Sequence, residues 1–406
     1  MENELPIFTM ALGLSQPWFI REVRFELEQG KRVLHIDVDH EPSSKFAYEG
    51  KTYSVYDHHR RSWRHLNFFQ HQCYLHARVP RVKTADGSVR LVEVPWARPG
   101  SAFTLLFEDD VVELVQQGLS CRAVATRLSI GDKRVFGIIR HRVSTALSDQ
   151  MLEPVRELSV DETSTRKGHS YFTILADREA RKVVGVSIGK DKEAFAEALV
   201  DMEIRGAYRQ EVQTVTMDMS ASYISAVNEW MDQADMVFDR FHLAKQLNEA
   251  VDRVRRSDQQ QFTELKNSRY LWLKNQPKLS AAQQRKVSDL AAAYPNIGEA
   301  YRLKELFREV LNSAQRNREV TPLEDWITQA WDSGIAPFKK FVNTLHDHWY
   351  GIETYFQKLS SNAFAERVNL KIQEIKRLAK GYRNQYNFSL MIYFHLGGLN
   401  LQTHGI

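Results

Sequence analysis

Between residues 155 and 238 the hydrophobic period of the chain is strand-like, and it delivers three strands in a row. VRELSVDET, SYFTILADRE and KVVGVSIG alternate with breaks at Lys167–Gly168 and at Arg178 to Arg181, and the last two runs can pair as a hairpin. The pattern then switches. KEAFAEALVDMEIRG has helical spacing and is closed by Gly206. QTVTMDMS follows as a short buried strand ending at Asp218. SASYISAVNEWM reads as a helix with Ser220 as its cap, and DMVFDRFHL as a further strand. Few architectures accept the order β-β-β-α-β-α-β, because three antiparallel strands must continue into a sheet that alternates with helices.

That order is the one of a ribonuclease H-like α/β core, where the first and fourth strands are neighbours. Asp161 is expected to end the first strand and Asp218 the fourth, which would bring the two carboxylates together. A third acid, Glu366, lies early in SNAFAERVNLKIQEIKRLAKGYRN (361–384), a strong helix stopped by Gly381. Three hard oxygen ligands suit Mg²⁺ or Mn²⁺. A pair of such ions can activate a water or a 3′-hydroxyl and stabilise the leaving oxygen of a phosphoryl transfer. Singly, each acid reads better as a turn residue or a solvated helix residue; their joint placement favours the metal site. Glu162 follows Asp161 on a strand, so it should face the other way and be structural. Asp239 and His242 read as a hydrogen-bonded pair orienting the last strand and the next helix. Lys167 and His169 could touch DNA or sit in a solvated turn. No P-loop, G-x-S-x-G elbow or H-E-x-x-H motif competes.

Residues 103–147 are helical. FEDDVVELVQQGL ends at Gly118, SCRAVATRLSI starts with Ser120 as a possible cap, and DKRVFGIIRHRVSTAL follows a break at Gly131. Two short helices and a longer basic one form the helix-turn-helix pattern, whose last helix enters the major groove by its N-terminal residues. Those are Lys133, Arg134 and Gly137, with Arg140 and Arg142 nearer the backbone or solvent; a plain three-helix packing unit is the alternative. Residues 1–98 show strand alternation in KRVLHIDVDH and CYLHARVPRV and make a small α+β domain. Residues 58–98 hold eight Arg or Lys against two acids, interleaved with Trp63, Phe68, Phe69, Tyr74 and Trp96. Arg60, Arg61, Arg64 and Arg81 are the candidate phosphate contacts there, a solvated basic face being the alternative. Residues 240–355 carry almost no strand signal and form an all-α segment, with Trp272, Trp326 and Trp331 assigned to its packing.

The whole chain has 406 residues, a formal net charge of only +4, and two cysteines, Cys73 and Cys121. Two thiols build no disulfide framework, so a reducing cytoplasm fits. No apolar run reaches the ~20 residues of a membrane span, and the N-terminus lacks the positive start of an export signal.

SVDETSTRKGHSYFTILAD, VTMDMSASYISAV, MVFDRFHLAKQLNEAVDRVRR and SNAFAERVNLKIQEIKRLAKGYRN together resemble bacterial insertion-sequence transposases of the ISL-three family. YDHHRRSWRHL, ARVPRV and VEVPWARPGSAFT resemble its N-terminal region, so the likeness runs over about residues 50–400. It implies a DDE transposase with Asp161, Asp218 and Glu366 as the triad for two Mg²⁺ (or Mn²⁺) ions, and a helical insertion between the second and third acids. The implied division is an N-terminal DNA-binding domain (1–98), a helix-turn-helix (103–147), a catalytic domain (155–250 and 355–400) and the insertion (251–354). The implied partners are terminal inverted repeats and target DNA, met as a homodimer on DNA, with no membrane and no small-molecule substrate, in the bacterial cytoplasm at the nucleoid. Lys371, Lys376 and Arg377, near helical spacing after Glu366, would suit DNA phosphates or a solvated face. One departure stands out. The family carries paired cysteines before and after the WRHL block, where this chain reads DHEPSSKF and VKTADGSVR. His40, His71, Cys73 and His76 lie nearby at other spacings, so no structural zinc is expected. A catalytically silent, transposase-derived DNA-binding regulator is the alternative. A host nuclease of the same fold is disfavoured by the helix-turn-helix and the long helical insertion.

Overall fold

The computed structural model describes residues 5–166, 170–317, 319–358 and 363–402, and the chain divides into two compact units, Met1–Ala146 with Asn400–Ile406 and Leu147–Leu399. Lys167 and His169 lie outside the described residues.

The first unit opens with helix α1 (Leu5–Ala11) and a six-stranded sheet: β1 (Trp18–Glu28), β2 (Lys31–His40), β3 (Lys45–Tyr48), β4 (Lys51–Phe68), β5 (His71–Lys83) and β6 (Val89–Leu91). The order is β1-β2-β5-β4-β3, with β6 on β5; β2 and β5 run parallel and the other pairs antiparallel. Two hairpins turn through Gln29–Gly30 and Glu49–Gly50, all four residues at positive φ. That is the mirror-image turn whose twist matches the strands, and glycine makes its second position cheap. The core beneath holds Leu34, Trp63, Leu75 and Val82, with the Trp96 ring edge-on to both Trp18 (5.0 Å) and Trp63 (5.6 Å).

Three helices complete this unit: α2 (Leu105–Gln116), α3 (Cys121–Leu128) and α4 (Asp132–Asp149). Thr104 accepts from the Phe107 amide and Ser120 from the Ala123 amide, so two of the three starts are capped by their own side chains. Between them the chain turns through Gly118 at φ 94°. Phe107, Val111, Val124, Val135, Ile138 and Val143 form the shared apolar face. In its middle sits Glu108, fully buried. Its carboxylate accepts from Arg98 Nε (2.9 and 3.0 Å) and Ser101 Oγ (2.7 Å), and Arg142 Nε lies 3.5 Å away. Arg142 is therefore interior, held by Glu108 and by Asp109 at 2.9 Å, and not near the DNA backbone or solvent as its place late in α4 suggests.

The second unit is built on β7 (Glu157–Arg166), β8 (Ser170–Asp177), β9 (Lys182–Ile188), helix α5 (Lys192–Ile204), β10 (Thr214–Met217), helix α6 (Ala221–Trp230) and β11 (Asp235–Phe238). The five strands form one mixed sheet, β11-β10-β7-β8-β9, in which β7, β8 and β9 are antiparallel and β10 lies parallel to both β7 and β11. Helices follow without further strands among the described residues: α7 (Arg240–Gln259), α8 (Arg269–Leu273), α9 (Ala281–Ala293), α10 (Pro295–Asn317), α11 (Thr321–Asp332), α12 (Ala336–Asp347), α13 (Trp349–Lys358), α14 (Ala363–Leu378) and α15 (Gln385–Leu396).

Several expectations change. β7 does not stop at Asp161. Thr163 and Thr165, β-branched and buried, carry the pairing with β8 on to Arg166. The strand in DMVFDRFHL ends at Phe238, and Asp239 caps α7 by accepting from the Phe241 amide. Ser220 stands at the start of α6 but makes no side-chain cap; Asp218 Oδ1 instead accepts from the Ser220 amide at 3.0 Å. Trp272 and Trp326 are fully buried, whereas Trp331 is exposed with Lys339 Nζ 5.2 Å from its ring centre.

Removing one partner of a buried ion pair leaves the other charged and unsolvated. Glu108→Ala strands Arg98 and leaves Arg142 with Asp109 alone, so unfolding of the full chain in urea should show the first unit destabilised by about 3–5 kcal/mol. A loss below about 1 kcal/mol would mean the carboxylate is not the hub of that cluster.

Candidate active site and DNA-contact residues

β10 pairs with β7 only through Thr214↔Glu157, Val215↔Leu158 and Thr216↔Ser159. Both strands run the same way, so the residues just past this pairing emerge at one edge: Asp161 from β7 and Asp218 from the end of β10. The pleat sends alternate side chains to opposite faces. Asp161 and Thr163 face α14, and Glu162 faces Tyr223 of α6.

Helix α14 lays a polar stripe along β7. Asn369 Nδ2 donates to Asp161 Oδ2 (2.6 Å), Gln373 Nε2 to Thr163 Oγ1 (2.9 Å), and Lys376 Nζ to the Ser164 carbonyl (2.9 Å). Glu366 lies in the first turn of α14, three residues before Asn369 and hence on the neighbouring surface, and it is exposed. Among the described residues the ligand oxygens of Asp161, Asp218 and Glu366 are not all within 4.8 Å of one another. The structure thus brings Asp161 and Asp218 together and leaves Glu366 on the helix above them.

Electrostatics mark the same place. Burial pushes the Asp161 carboxyl up to about 7; the Glu162 amide, which donates to Asp161 Oδ1 at 2.7 Å, opposes that rise, and the charges of Asp218, Asp239 and Glu162 add to it. Burial, then the charge of Asp218, raises Glu162, while Lys190 and the bond with Tyr223 lower it. Tyr223 is itself fully buried and paired with Thr173 Oγ1 at 3.1 Å. Glu162 therefore faces away from Asp161, as expected, yet it belongs to the same acidic cluster through Asp218. Neither Asp161 nor Asp218 forms an ion pair with any described residue. Asn369 Oδ1 is buried with no hydrogen-bond partner. Uncompensated carboxylates beside an orphaned amide oxygen are a donor set that fits a hard divalent cation.

Asn369 and Gln373 were not among the residues singled out from sequence. Their signal was present: 366, 369, 373 and 376 recur at three- and four-residue spacing, a polar stripe on a helix whose other faces bury Val368, Ile372 and Ile375.

The basic candidates divide. Arg60, Lys133, Arg134, Arg140 and Arg377 are exposed. Arg61 is half-buried and donates to the Ser101 carbonyl (3.1 Å). Arg81 is half-buried and makes a two-pronged pair with Asp57. Lys371 pairs with Glu374 at 2.9 Å. Arg64 is corrected: it is 5% exposed, its guanidinium lies over the Phe107 and Tyr74 rings, and it donates to the Cys73 carbonyl at 3.1 Å. Its planar fork stitches β4 to β5 and is not available to a phosphate. Lys376 is likewise engaged with β7.

A transposase family model of the ISL3 group matches residues 158–392, the whole span from β7 into α15. The helix-turn-helix domain of transposase family ISL3 matches residues 92–143, and a zinc finger of transposases IS204/IS1001/IS1096/IS1165 matches residues 50–83. The transposase for insertion sequence element IS1001 of Bordetella parapertussis is 28% identical over 340 residues, covering 81% of this chain and 82% of the relative. The transposase for insertion sequence element IS1557 of Mycobacterium tuberculosis H37Rv is 25% identical over 414 residues, covering 93% of this chain and 92% of the relative. The chain belongs to the ISL3 family of insertion-sequence transposases. Helices α2 to α4 are accordingly a DNA-binding helix-turn-helix and not a plain packing unit. No helix among the described residues is long and apolar enough to cross a membrane.

The zinc-finger match overturns the expectation that no structural zinc is to be found. The matched segment does not supply it through thiols, however. Its one cysteine, Cys73, is packed in the sheet core, and burial pushes the thiol up to about 12. A thiolate is the ligand form, so Cys73 does not fit that role.

Asp161 is an acid whose native pKa lies above its unfolded value near 4. Its contribution to stability is complete below about pH 4 and is lost as pH rises through about 7. In chelator, Asp161→Asn should therefore gain stability over the wild type on going from about pH 5 to about pH 8, on the order of 1–3 kcal/mol by urea unfolding. An effect equal at both pH values would show that the carboxyl ionises as a solvated one does.

Proposed function

We propose that this transposase binds the terminal inverted repeats of its insertion sequence and, as a homodimer on DNA, cuts and joins strands at a site held by Asp161, Asp218 and Glu366. The observation that carries the reading is the uncompensated pair Asp161 and Asp218, set side by side where β10 leaves β7. In this reading β7 to β11 with α14 and α15 are a ribonuclease H-like core, residues 155–250 and 355–400, and the helices of 251–354 are an insertion into it. Residues 1–98 and 103–147 are the DNA-recognition domains.

The three carboxylates would hold two Mg²⁺ (or Mn²⁺) ions, which when bound supply a nucleophilic oxygen at neutral pH and stabilise the leaving oxygen. The residues of the chain do the rest. Asn369 fixes one oxygen of Asp161 and leaves the other toward the Glu162 amide, so the carboxylate has a single orientation. Asp218 is fixed by the Ser220 amide at the head of α6. Glu366 approaches from the helix that already grips β7. Lys133 and Arg134, exposed at the start of α4, enter the groove, and Arg60 and Arg377 meet phosphates.

Asp161→Asn, Asp218→Asn and Glu366→Gln should each abolish Mg²⁺-dependent cleavage of inverted-repeat DNA while end binding in a gel-shift assay stays within about threefold. Full cleavage by Glu366→Gln would move the third ligand elsewhere, and intact end binding with no cleavage by the wild type would favour a silent regulator. Lys133→Ala with Arg134→Ala should weaken end binding at least tenfold and flatten its salt dependence by about two ions; an unchanged salt slope would remove these two from the interface.

A further inference from the structure

The N-terminal sheet presents a donor cluster of its own. β1 places Glu26 and Glu28 on one face, two residues apart, and His35 of β2 leans toward them. His35 is 6% exposed, and its Nε2 has no hydrogen-bond partner. That nitrogen lies 3.2 Å from Glu28 Oε1 and 3.9 Å from Glu26 Oε2, without the alignment a hydrogen bond needs. Two donors that share one zinc ion at ~2.0–2.1 Å in a tetrahedral arrangement are about 3.3 Å apart. Glu28 already stands at that distance from His35, and Glu26 has a few tenths of an ångström to close, with the three donor atoms within 4.8 Å of one another.

The surroundings are those of a ligand histidine. His35 Nδ1 is 2.9 Å from His76 Nε2, and His76 Nδ1 is 2.7 Å from Ser62 Oγ. When His35 donates from Nδ1 to His76 Nε2, and His76 donates from Nδ1 to Ser62 Oγ, the lone pair of His35 Nε2 is free and aimed at two carboxylates. Arg24 Nε holds Glu26 Oε1 at 2.6 Å, leaving Oε2 to face the imidazole. Both glutamates are about half exposed, so an ion can enter from solvent and waters can complete its shell.

We infer that His35, Glu26 and Glu28 bind one Zn²⁺ ion, with His76 and Ser62 orienting the imidazole. The site ties β1 to β2. Its ligands precede the segment that matches the zinc finger, while its supporting residues Ser62 and His76 lie inside it. Imidazole with two carboxylates suits Zn²⁺ better than Mg²⁺.

The test is zinc stoichiometry of the full chain. Protein stripped with chelator is dialysed against Zn²⁺ in excess Mg²⁺, and bound zinc is measured by elemental analysis together with the zinc-induced rise in Tm. One zinc per chain is expected for the wild type, for Asp161→Asn and for Cys73→Ser. Glu26→Gln with Glu28→Gln, both at the exposed surface, should weaken binding at least tenfold, and His76→Ala by about 10- to 100-fold. Zinc retained by the double glutamine variant, lost in Cys73→Ser or Asp161→Asn, or absent from the wild type would each overturn the assignment.

Discussion

The short parallel pairing of β10 on β7 is the constraint on which the rest of the second unit depends. It lasts three residues. Beyond it the two chains diverge, and each leaves a carboxylate at the parting. Parallel pairing requires a crossover, and α5 with its N-cap Asp191 supplies it on one face of the sheet. β11 then adds outside β10, and its last residue, Phe238, receives α13 at Gly351, where a Cβ would come 2.4 Å from the ring. The edge that carries Asp218 is thus fixed from two sides. Like charges held this way oppose folding unless something neutralises them. The core of aromatic and aliphatic side chains around β7, β10 and α6 is what carries that cost.

Helix α14 answers a different requirement. A helix that brings a third acid must also be kept in register with the strand below. Three polar contacts over eight residues do this, and all three end on consecutive portions of β7. Apolar residues alone would bury the helix without fixing its rotation, because ridges pack with tolerance. Hydrogen bonds to named atoms do not slide. This is why Asn369, which carries no charge, is as much a part of the acidic site as the acids themselves.

How much of this was legible differs by cause. Element order and type in residues 155–238 could be read from period alone, as could the three helices of 103–147 from Ser120, Gly118 and their apolar spacing. Asp218 was placed at a strand end because the run before it is short and bounded. Asp161 was misread as a strand end because an acid pair looks like a turn, whereas the β-branched threonines after it continue the pleat. The arginines were hardest. Arg64, Arg142 and Arg60 look alike in sequence, yet the first stacks on Phe107 and Tyr74, the second neutralises buried Glu108, and the third is exposed. Only the partner decides, and the partner is distant in the chain. Trp331 failed for the opposite reason: a large ring was assumed to be interior, but amphipathic spacing in α11 gives the inward positions to Leu323, Trp326, Ile327 and Ala330.

The same logic bears on the N-terminal sheet. The zinc-finger segment, 50–83, is essentially β4 and β5. Two strands are too little to bury a core of their own, and small domains usually need a metal or a disulfide to compensate. Here β2 lies parallel against β5, so Leu34, Ile36 and Val38 meet Cys73, Leu75 and Ala77, and the Trp18–Trp96–Trp63 edge contacts close the layer. Added strands therefore do for this segment what paired cysteines do in a free-standing ribbon. Cys73, the one thiol left in it, is free to be a core residue.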